Sequence, residues 1–375
     1  ATSGLTAMKY YDGDTEIASV AEAPYAAVYT VTEGDHDIVA KAVYGDYEAA
    51  AEAVRITGVN RKWNLVTEQN FEDVQAARNW LTEIVEVGGS IAFEGGAAKL
   101  ASAAEKAAPY IGKSFSPVLG GTVMLEGDFT FSNIQHKRNL MMVRNSRADG
   151  SGVFATPVIA EKGNLYFVGK NYGNDPEMLI QPLEEDVKYT IRVVWNIETH
   201  LADVYVNDVC KIQQKKLDYS DEIHTLTTMR FVTDTYVDSE GFTVVDNLRI
   251  QSVGEGPQVT GVTVGGASET ENVPVSAGTI AVSFDSDLAD TGIQPYVSLT
   301  AADGEDVAYT GAYDKTSRTF TMTLPRDLRY GIRYTLKIDR ALKGLNYAEL
   351  GEDYTYSFTT EDIPVKVSAV ERTDS

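Results

Sequence analysis

Tyr354-Thr-Tyr-Ser-Phe-Thr-Thr-Glu-Asp362 closes a series of short alternating segments, and that series decides the fold. Upstream of it, Thr279-Ile-Ala-Val-Ser-Phe-Asp285 places Ile280, Val282 and Phe284 on one side. Ser317-Arg-Thr-Phe-Thr-Met-Thr-Leu324 and Ile332-Arg-Tyr-Thr-Leu-Lys-Ile338 repeat the pattern. Successive side chains of a strand point to opposite faces, so apolar residues at every second position, bounded by Gly, Asp and Pro, predict half-buried strands. Several such strands at short spacing predict an all-β sandwich.

The order of these pieces also carries a resemblance. Ile280-Ala-Val-Ser-Phe-Asp285, Leu288, Tyr313-Asp314, Leu328-Arg-Tyr-Gly-Ile-Arg-Tyr-Thr-Leu336 and Tyr356-Ser-Phe-Thr-Thr360 together resemble the bacterial immunoglobulin-like domain of S-layer and secreted-enzyme type. That family implies a spacer or presenting module and no chemistry of its own. Near the N-terminus, Tyr10-Tyr-Asp-Gly, Ala23-Pro-Tyr25, Gly34-Asp-His-Asp-Ile38 and a closing Val54-Arg-Ile-Thr57 resemble another bacterial immunoglobulin-like family. This first segment is shorter than such domains, which implies a fragment starting within a domain or a reduced sandwich.

Between them lies the largest segment, opened by Asn70-Phe-Glu-Asp73 and closed by Phe242-Thr-Val-Val-Asp-Asn-Leu-Arg-Ile250. Its clearest strand is Lys188-Tyr-Thr-Ile-Arg-Val-Val-Trp-Asn196, followed by a turn and Leu201-Ala-Asp-Val-Tyr-Val206. Trp195 shares a strand face with Ile191 and Val193 and is assigned to the core. Only residues 74–85 read as a short helix. The opening Phe71-Glu-Asp73, the strand Gly163-Asn-Leu-Tyr-Phe167, the hairpin of residues 189–207 and the close Asp246-Asn-Leu-Arg-Ile250 resemble the concanavalin A-like (laminin G-like) jelly roll of bacterial surface and glycan-degrading proteins. That fold hosts lectins, hydrolases, lyases and adhesion modules, so it implies a sandwich and not a function. Gly254-Glu-Gly-Pro257 reads as the linker to the last module. The expected organisation is therefore an immunoglobulin-like domain at 1–60, a jelly roll at 61–253, a bacterial immunoglobulin-like domain at 254–364 and a tail at 365–375.

Composition narrows the partners. A chain of 375 residues has room for two to three domains, and a hydrophobic content of 43% supplies their cores. A formal net charge of −23 argues against nucleic acid and against anionic membranes, both of which select basic surfaces. No apolar run approaches the ~20 residues of a membrane span. The single cysteine, Cys210, allows no intrachain disulfide and reads as a packed thiol in a strand. The chain opens on Ala1-Thr-Ser-Gly4 without methionine, which fits a processed or excised piece of a longer chain, secreted or held at a cell surface.

Most catalytic patterns are missing from the sequence: His-Glu-x-x-His, paired cysteines at zinc spacing, a P-loop and a dinucleotide glycine fingerprint. Gly88-Gly-Ser-Ile-Ala92 lacks the last glycine of a nucleophile elbow and reads as a strand entry. Glu126-Gly-Asp128 approaches the paired acids of jelly-roll glycosidases, but position 131 is Phe, so both acids are assigned to a solvated strand face. Gln135-His-Lys-Arg138, with Arg144 and Arg147, is a basic concentration in an acidic chain; His136, Arg138 and Arg144 could hold an acidic sugar by charge-assisted hydrogen bonds. Sugar C–H faces stack on exposed rings, which makes Tyr166, Tyr172 and Tyr236 candidate ligand contacts. Glu72, Asp73 and Asp246, in the opening and closing strands, offer hard oxygens for a structural calcium; no cofactor is required. The reading is a non-catalytic portion that binds a polysaccharide or other glycan, flanked by spacers. The alternatives are a jelly-roll lyase or glycoside hydrolase, and a purely structural stalk.

Overall fold

The computed structural model describes residues 4–102, 109–119, 121–146, 152–170, 175–218, 223, 225–232, 241–289 and 292–364, and the chain is all β apart from short helical turns. It divides into two compact units, Ala1–Lys62 and Trp63–Ser375. No helix among the described residues is long and apolar enough to cross a membrane.

The first unit is one five-stranded sheet. Its order is Thr15–Val20, Ala7–Asp12, Gly34–Tyr44 and Tyr47–Ala50, with Val54–Gly58 pairing the other half of the long Gly34–Tyr44 strand. The hairpin between the first two strands turns at Gly13, whose positive φ of 56° suits a residue without a side chain. No apolar side chain in residues 4–62 is fully buried; the most buried residue is His36, at 9% exposure. Its Nδ1 lies 2.5 Å from Asp12 Oδ2, and its Nε2 lies 3.0 Å from the Thr32 carbonyl oxygen. Neither acceptor carries a proton, so the doubly protonated imidazolium is the form that satisfies both. The Tyr29 hydroxyl donates to the same Asp12 oxygen at 2.9 Å.

The hydrogen bond to Asp12 holds the His36 pKa above its ordinary value, with Asp35 adding a weaker pull, and His36 in turn holds the Asp12 carboxyl below its own. A raised histidine pKa contributes stability that is complete below the unfolded value and is lost as pH rises through the folded one. A lowered carboxyl contributes stability that is lost as pH falls through its folded value. Protection of the Gly34–Tyr44 amides against hydrogen exchange, corrected for intrinsic rate, is therefore expected to be greatest between about pH 4 and about 6.5. It should fall on the alkaline side in the wild type and stay flat there in His36→Gln. An alkaline fall of equal size in the variant would contradict this assignment.

The second unit has two hydrophobic cores. The first belongs to a sandwich. Its larger sheet is eight-stranded, in the order Val209–Lys216, Leu201–Val206, Lys188–Asn196, Thr122–Phe131, Gly241–Val253, Ala97–Ser102, Gly89–Glu94, with Trp63–Gln69 also pairing to Gly241–Val253. Opposite it lies a five-stranded sheet in the order Gly152–Ala155, Met142–Ser146, Thr225–Val232, Tyr110–Leu119, Glu83–Val85. A four-stranded sheet, Arg138–Leu140, Val158–Glu161, Asn164–Phe167 and Leu179–Pro182, completes it. Alternation fills the space between: Tyr189, Ile191, Val193 and Trp195 from one strand, Val123, Leu125, Phe129 and Phe131 from its neighbour, and Leu226, Met229 and Phe231 from the five-stranded sheet. The closing strand pairs with Trp63–Gln69, with Thr67 opposite Ile250 and Trp63 opposite Val253; residues 70–73, read from the sequence as the opening strand, form the bend and cap that follow it.

Two local readings are corrected. The helix stops at Trp80, where the chain turns extended at Leu81, and Glu83–Val85 is an edge strand. The Asp73 carboxylate caps this helix by accepting from the Ala76 amide at 2.9 Å. Cys210 is exposed on an edge strand rather than packed, with its thiol directed at the Ile212 carbonyl.

The second core is an immunoglobulin-like sandwich of a four-stranded sheet (Val259–Val264, Thr279–Phe284, Thr319–Thr323, Thr310–Asp314) and a three-stranded sheet (Val297–Ala301, Arg333–Ile338, Tyr354–Thr359). Ile280, Val282 and Phe284 face Leu336, Ile338 and Phe358 across it. The buried Tyr334 keeps its hydroxyl satisfied by accepting from the Arg329 amide at 2.9 Å.

Candidate functional site

The outer face of the five-stranded sheet gathers polar, charged and aromatic side chains in two adjoining rows. Val143, Ala155 and Met229 point inward, each at most 2% exposed, so their chain neighbours point out. Cross-strand pairing places Ser114 opposite Thr228, Thr228 opposite Arg144, and Arg144 opposite Phe154. Phe154 is 57% exposed, with its ring turned to solvent. The Ser114 and Thr228 hydroxyls are 3.0 Å apart, and Thr82 accepts from the Ser114 amide at 2.8 Å. The guanidinium of Arg144 has no partner among the described residues, although its backbone carbonyl accepts from Thr227.

The adjoining row runs through Glu83, Gly112, Arg230 and Met142. Arg230 reaches across the intervening strand and grips Glu83 with two hydrogen bonds, Nε to Oε2 at 2.5 Å and Nη2 to Oε1 at 2.6 Å. Gly112 makes this reach feasible: a Cβ there would lie 2.6 Å from Glu83 Oε2 and 3.3 Å from Arg230 Cγ. The guanidinium also covers the Tyr110 ring at 4.7 Å. Glu83 holds the Arg230 pKa above its ordinary value, so this arginine is a fixed, charge-compensated post. An aromatic platform beside hydroxyls, a rigid ion pair and the Arg144 guanidinium can stack a sugar face and hydrogen-bond its substituents.

The sequence-derived candidates fare unevenly. Arg144 lies on this face. Arg138 does not act as a ligand group: it is 3% exposed, donates to the carbonyls of Asn133 at 2.9 Å and Ser132 at 2.5 Å, and burial pushes its pKa down to about 10. His136 is half-buried in the preceding turn, and burial, then the charge of Arg138, pushes its pKa down. Tyr166 sits half-buried on the Asn164–Phe167 strand between the buried Leu165 and Phe167. Tyr172 and Tyr236 lie outside the described residues. Phe154, Tyr110, Glu83 and Arg230 do not stand out in the sequence; the one local signal is the period-two alternation of Thr225–Val232.

The acidic candidates are each held by local contacts of their own. Asp73 is committed to the helix cap. Glu72 is exposed over Gly96, where an added Cβ would meet its Oε1 at 2.8 Å. Asp246 accepts from the Asn247 amide at 2.6 Å, and burial, with the nearby charges of Asp128 and Glu72, raises its pKa. Among the described residues no group of three or more His, Cys, Asp or Glu side chains is arranged to hold a metal ion. Asp128 is buried rather than solvated: it accepts from Thr190 at 2.6 Å, Asn247 at 3.0 Å and Lys188 at 3.1 Å, and its pKa falls because these bonds outweigh desolvation. Glu126 lies between Arg192 at 3.4 Å and Arg249 at 3.9 Å. Both acids of the glycosidase-like pair are thus engaged in structural contacts.

A cavity of about 330 Å³ opens at the larger sheet, lined by Glu68, Gln69, Asn70, Asn247, Leu248 and Arg249. Its arginine is paired with Glu68 at 3.2 Å, and its lining holds no aromatic ring, so it lacks the stacking surface that the opposite face provides.

Residues 254–360 match the family described as bacterial Ig-like domain. No curated protein matches the sequence. Among solved structures, a sialidase is similar at 11% identity and a TM-score of 0.39, over 58% of this chain and 21% of its own length. A carbohydrate esterase from Shiga toxin-encoding bacteriophage phi24B gives 8% identity and a TM-score of 0.39, over 52% of this chain and 100% of its own. A Bacillus subtilis protein of unknown function with a galectin-like fold gives 12% identity and a TM-score of 0.35, over 52% of this chain and 100% of its own. Likenesses this distant carry no weight for function.

Proposed function

We propose that the central sandwich is a carbohydrate-binding module that grips a polysaccharide on the outer face of its five-stranded sheet. The C-terminal immunoglobulin-like module then serves as a docked spacer in a secreted or surface-held protein. The observation that carries this reading is the row Ser114–Thr228–Arg144–Phe154, which sets an exposed ring beside two hydroxyls and a guanidinium that has no partner among the described residues. A large aromatic ring kept exposed on a sheet face, next to polar groups with spare hydrogen-bonding capacity, suits a ligand with one apolar face and a hydroxylated rim. The jelly-roll resemblance supports it at the level of fold alone.

A microarray of plant, host and bacterial cell-wall glycans, probed with the whole chain, tests this. Specific binding is expected, with Phe154→Ala weakening the strongest hit about tenfold or more while leaving the melting temperature nearly unchanged, because the ring is exposed. A blank array with folded protein would refute the reading.

A further inference from the structure

We propose that this face selects glycans carrying an acidic substituent, and that Arg144 is the residue that receives it. The proposal rests on the glycan-binding reading above and narrows it to a ligand class.

The two arginines of the face stand in opposite electrostatic settings. Arg230 is neutralised by Glu83 and held against Tyr110. Arg144, on the neighbouring strand, has no hydrogen-bond or ion-pair partner for its guanidinium among the described residues. Its directly opposed residues, Thr228 and Phe154, carry no charge, and neither does Met142, two positions back on its own strand. The chain has 55 acidic residues against 32 Lys and Arg, so an acid is available in composition to pair almost any cation. The guanidinium of this partly buried side chain lacks a partner among the described residues, and a planar anion would supply one through two parallel hydrogen bonds.

Position then supplies the geometry. Directly opposed residues of an antiparallel pair have Cβ atoms about 4.5–5.5 Å apart. A sugar stacked on Phe154 therefore brings its ring substituents within the span of the Arg144 side chain, with the Thr228 and Ser114 hydroxyls continuing the row. A carboxylate or a sulfate ester satisfies the same fork.

Bulk charge predicts the opposite preference. A formal net charge of −23 repels polyanions at long range and so favours neutral glycans. A preference for the acidic member of a matched pair must come from a local cation, which makes the comparison decisive.

The experiment is calorimetric titration of the full chain with polygalacturonate, alginate, hyaluronan and dextran sulfate. Each is compared with its neutral counterpart: methyl-esterified pectin, carboxyl-reduced alginate, carboxyl-reduced hyaluronan and dextran. At least one acidic member is expected to bind about tenfold tighter than its counterpart. The uronate and sulfate pairs separate a carboxylate ligand from a sulfate ligand. Arg144→Gln should abolish the preference with an unchanged melting temperature, and Arg144→Lys, which keeps the charge without the fork, should retain part of it. Equal binding of neutral and acidic members overturns the proposal and leaves glycan binding standing, as does a preference that survives in Arg144→Gln. Binding to no member, charged or neutral, overturns the proposal, and a glycan array that is also blank overturns the underlying reading.

Discussion

Replacing Phe129 with alanine is expected to lower the melting temperature of the central sandwich by on the order of 10 °C. Phe129 is 1% exposed on the Thr122–Phe131 strand of the larger sheet, and its ring lies 6.2 Å from that of Phe231 on the facing five-stranded sheet. It also stacks at 6.3 Å and 4° with Phe131. The ring therefore ties the two layers together as well as filling space between them. Beside it lies a void of about 10 Å³ lined by Leu100, Leu140, Phe231 and Val245 among others, so the packing has little slack to redistribute. Hydrogen-bonded sheets on both sides resist collapse, and removal of the ring leaves a cavity rather than a repacked core. Phe-to-Ala changes in such cores cost about 3–5 kcal/mol. A melting temperature within about 2 °C of wild type, measured by calorimetry, would show that the two sheets are not held as described.

Gly256→Val is expected to undock the immunoglobulin-like module from the sandwich. A Cβ at Gly256 would lie 1.8 Å from the Glu349 carbonyl oxygen and 2.6 Å from its carbon, a clash with backbone that no rotamer relieves. The linker is held on both sides. Asn64 donates to the Gly254 carbonyl at 3.1 Å, and Asn346 donates to the Glu255 carbonyl at 2.9 Å. The Ser252 hydroxyl donates to the Asn346 carbonyl, and the Tyr347 hydroxyl reaches Ser116 of the sandwich at 2.7 Å while its ring packs against the sandwich core. Each of these bonds contributes about 1 kcal/mol, and displacing the linker forfeits several together. Protease cleavage after Glu255 should be slow in the wild type and at least tenfold faster in the variant, with both cores still melting cooperatively. Equal cleavage rates would mean that the linker is already free.

Much of this architecture is written in local alternation. Ile280, Val282 and Phe284, or Tyr189, Ile191, Val193 and Trp195, declare strand and inward face together, because a period of two has one physical reading when the flanks break regular structure. The proposed binding face is not written this way. Glu83 and Arg230 stand 147 positions apart and meet only because Gly112 leaves room between them. Arg144 draws notice for its charge, but its significance lies in being opposite Phe154, a register relation that no spacing in the chain encodes. Arg138, two positions after His136 in the same basic stretch, looks equivalent in sequence and is instead buried on loop carbonyls. Asp128 misleads for a related reason: alternation separates the two faces of a strand, yet the outer face here buries it beneath Thr190, Lys188 and Asn247.

The most direct test of the binding face is hydroxyl-radical footprinting of the whole chain with and without the polysaccharide that binds it best. Protection is predicted at Phe154, Tyr110 and Met142, on the outer face of the five-stranded sheet, with no change at Arg249, whose exposed side chain lines the cavity of the larger sheet. Protection at Arg249 with Phe154 still fully reactive would contradict the account and move the binding site to the opposite side of the sandwich.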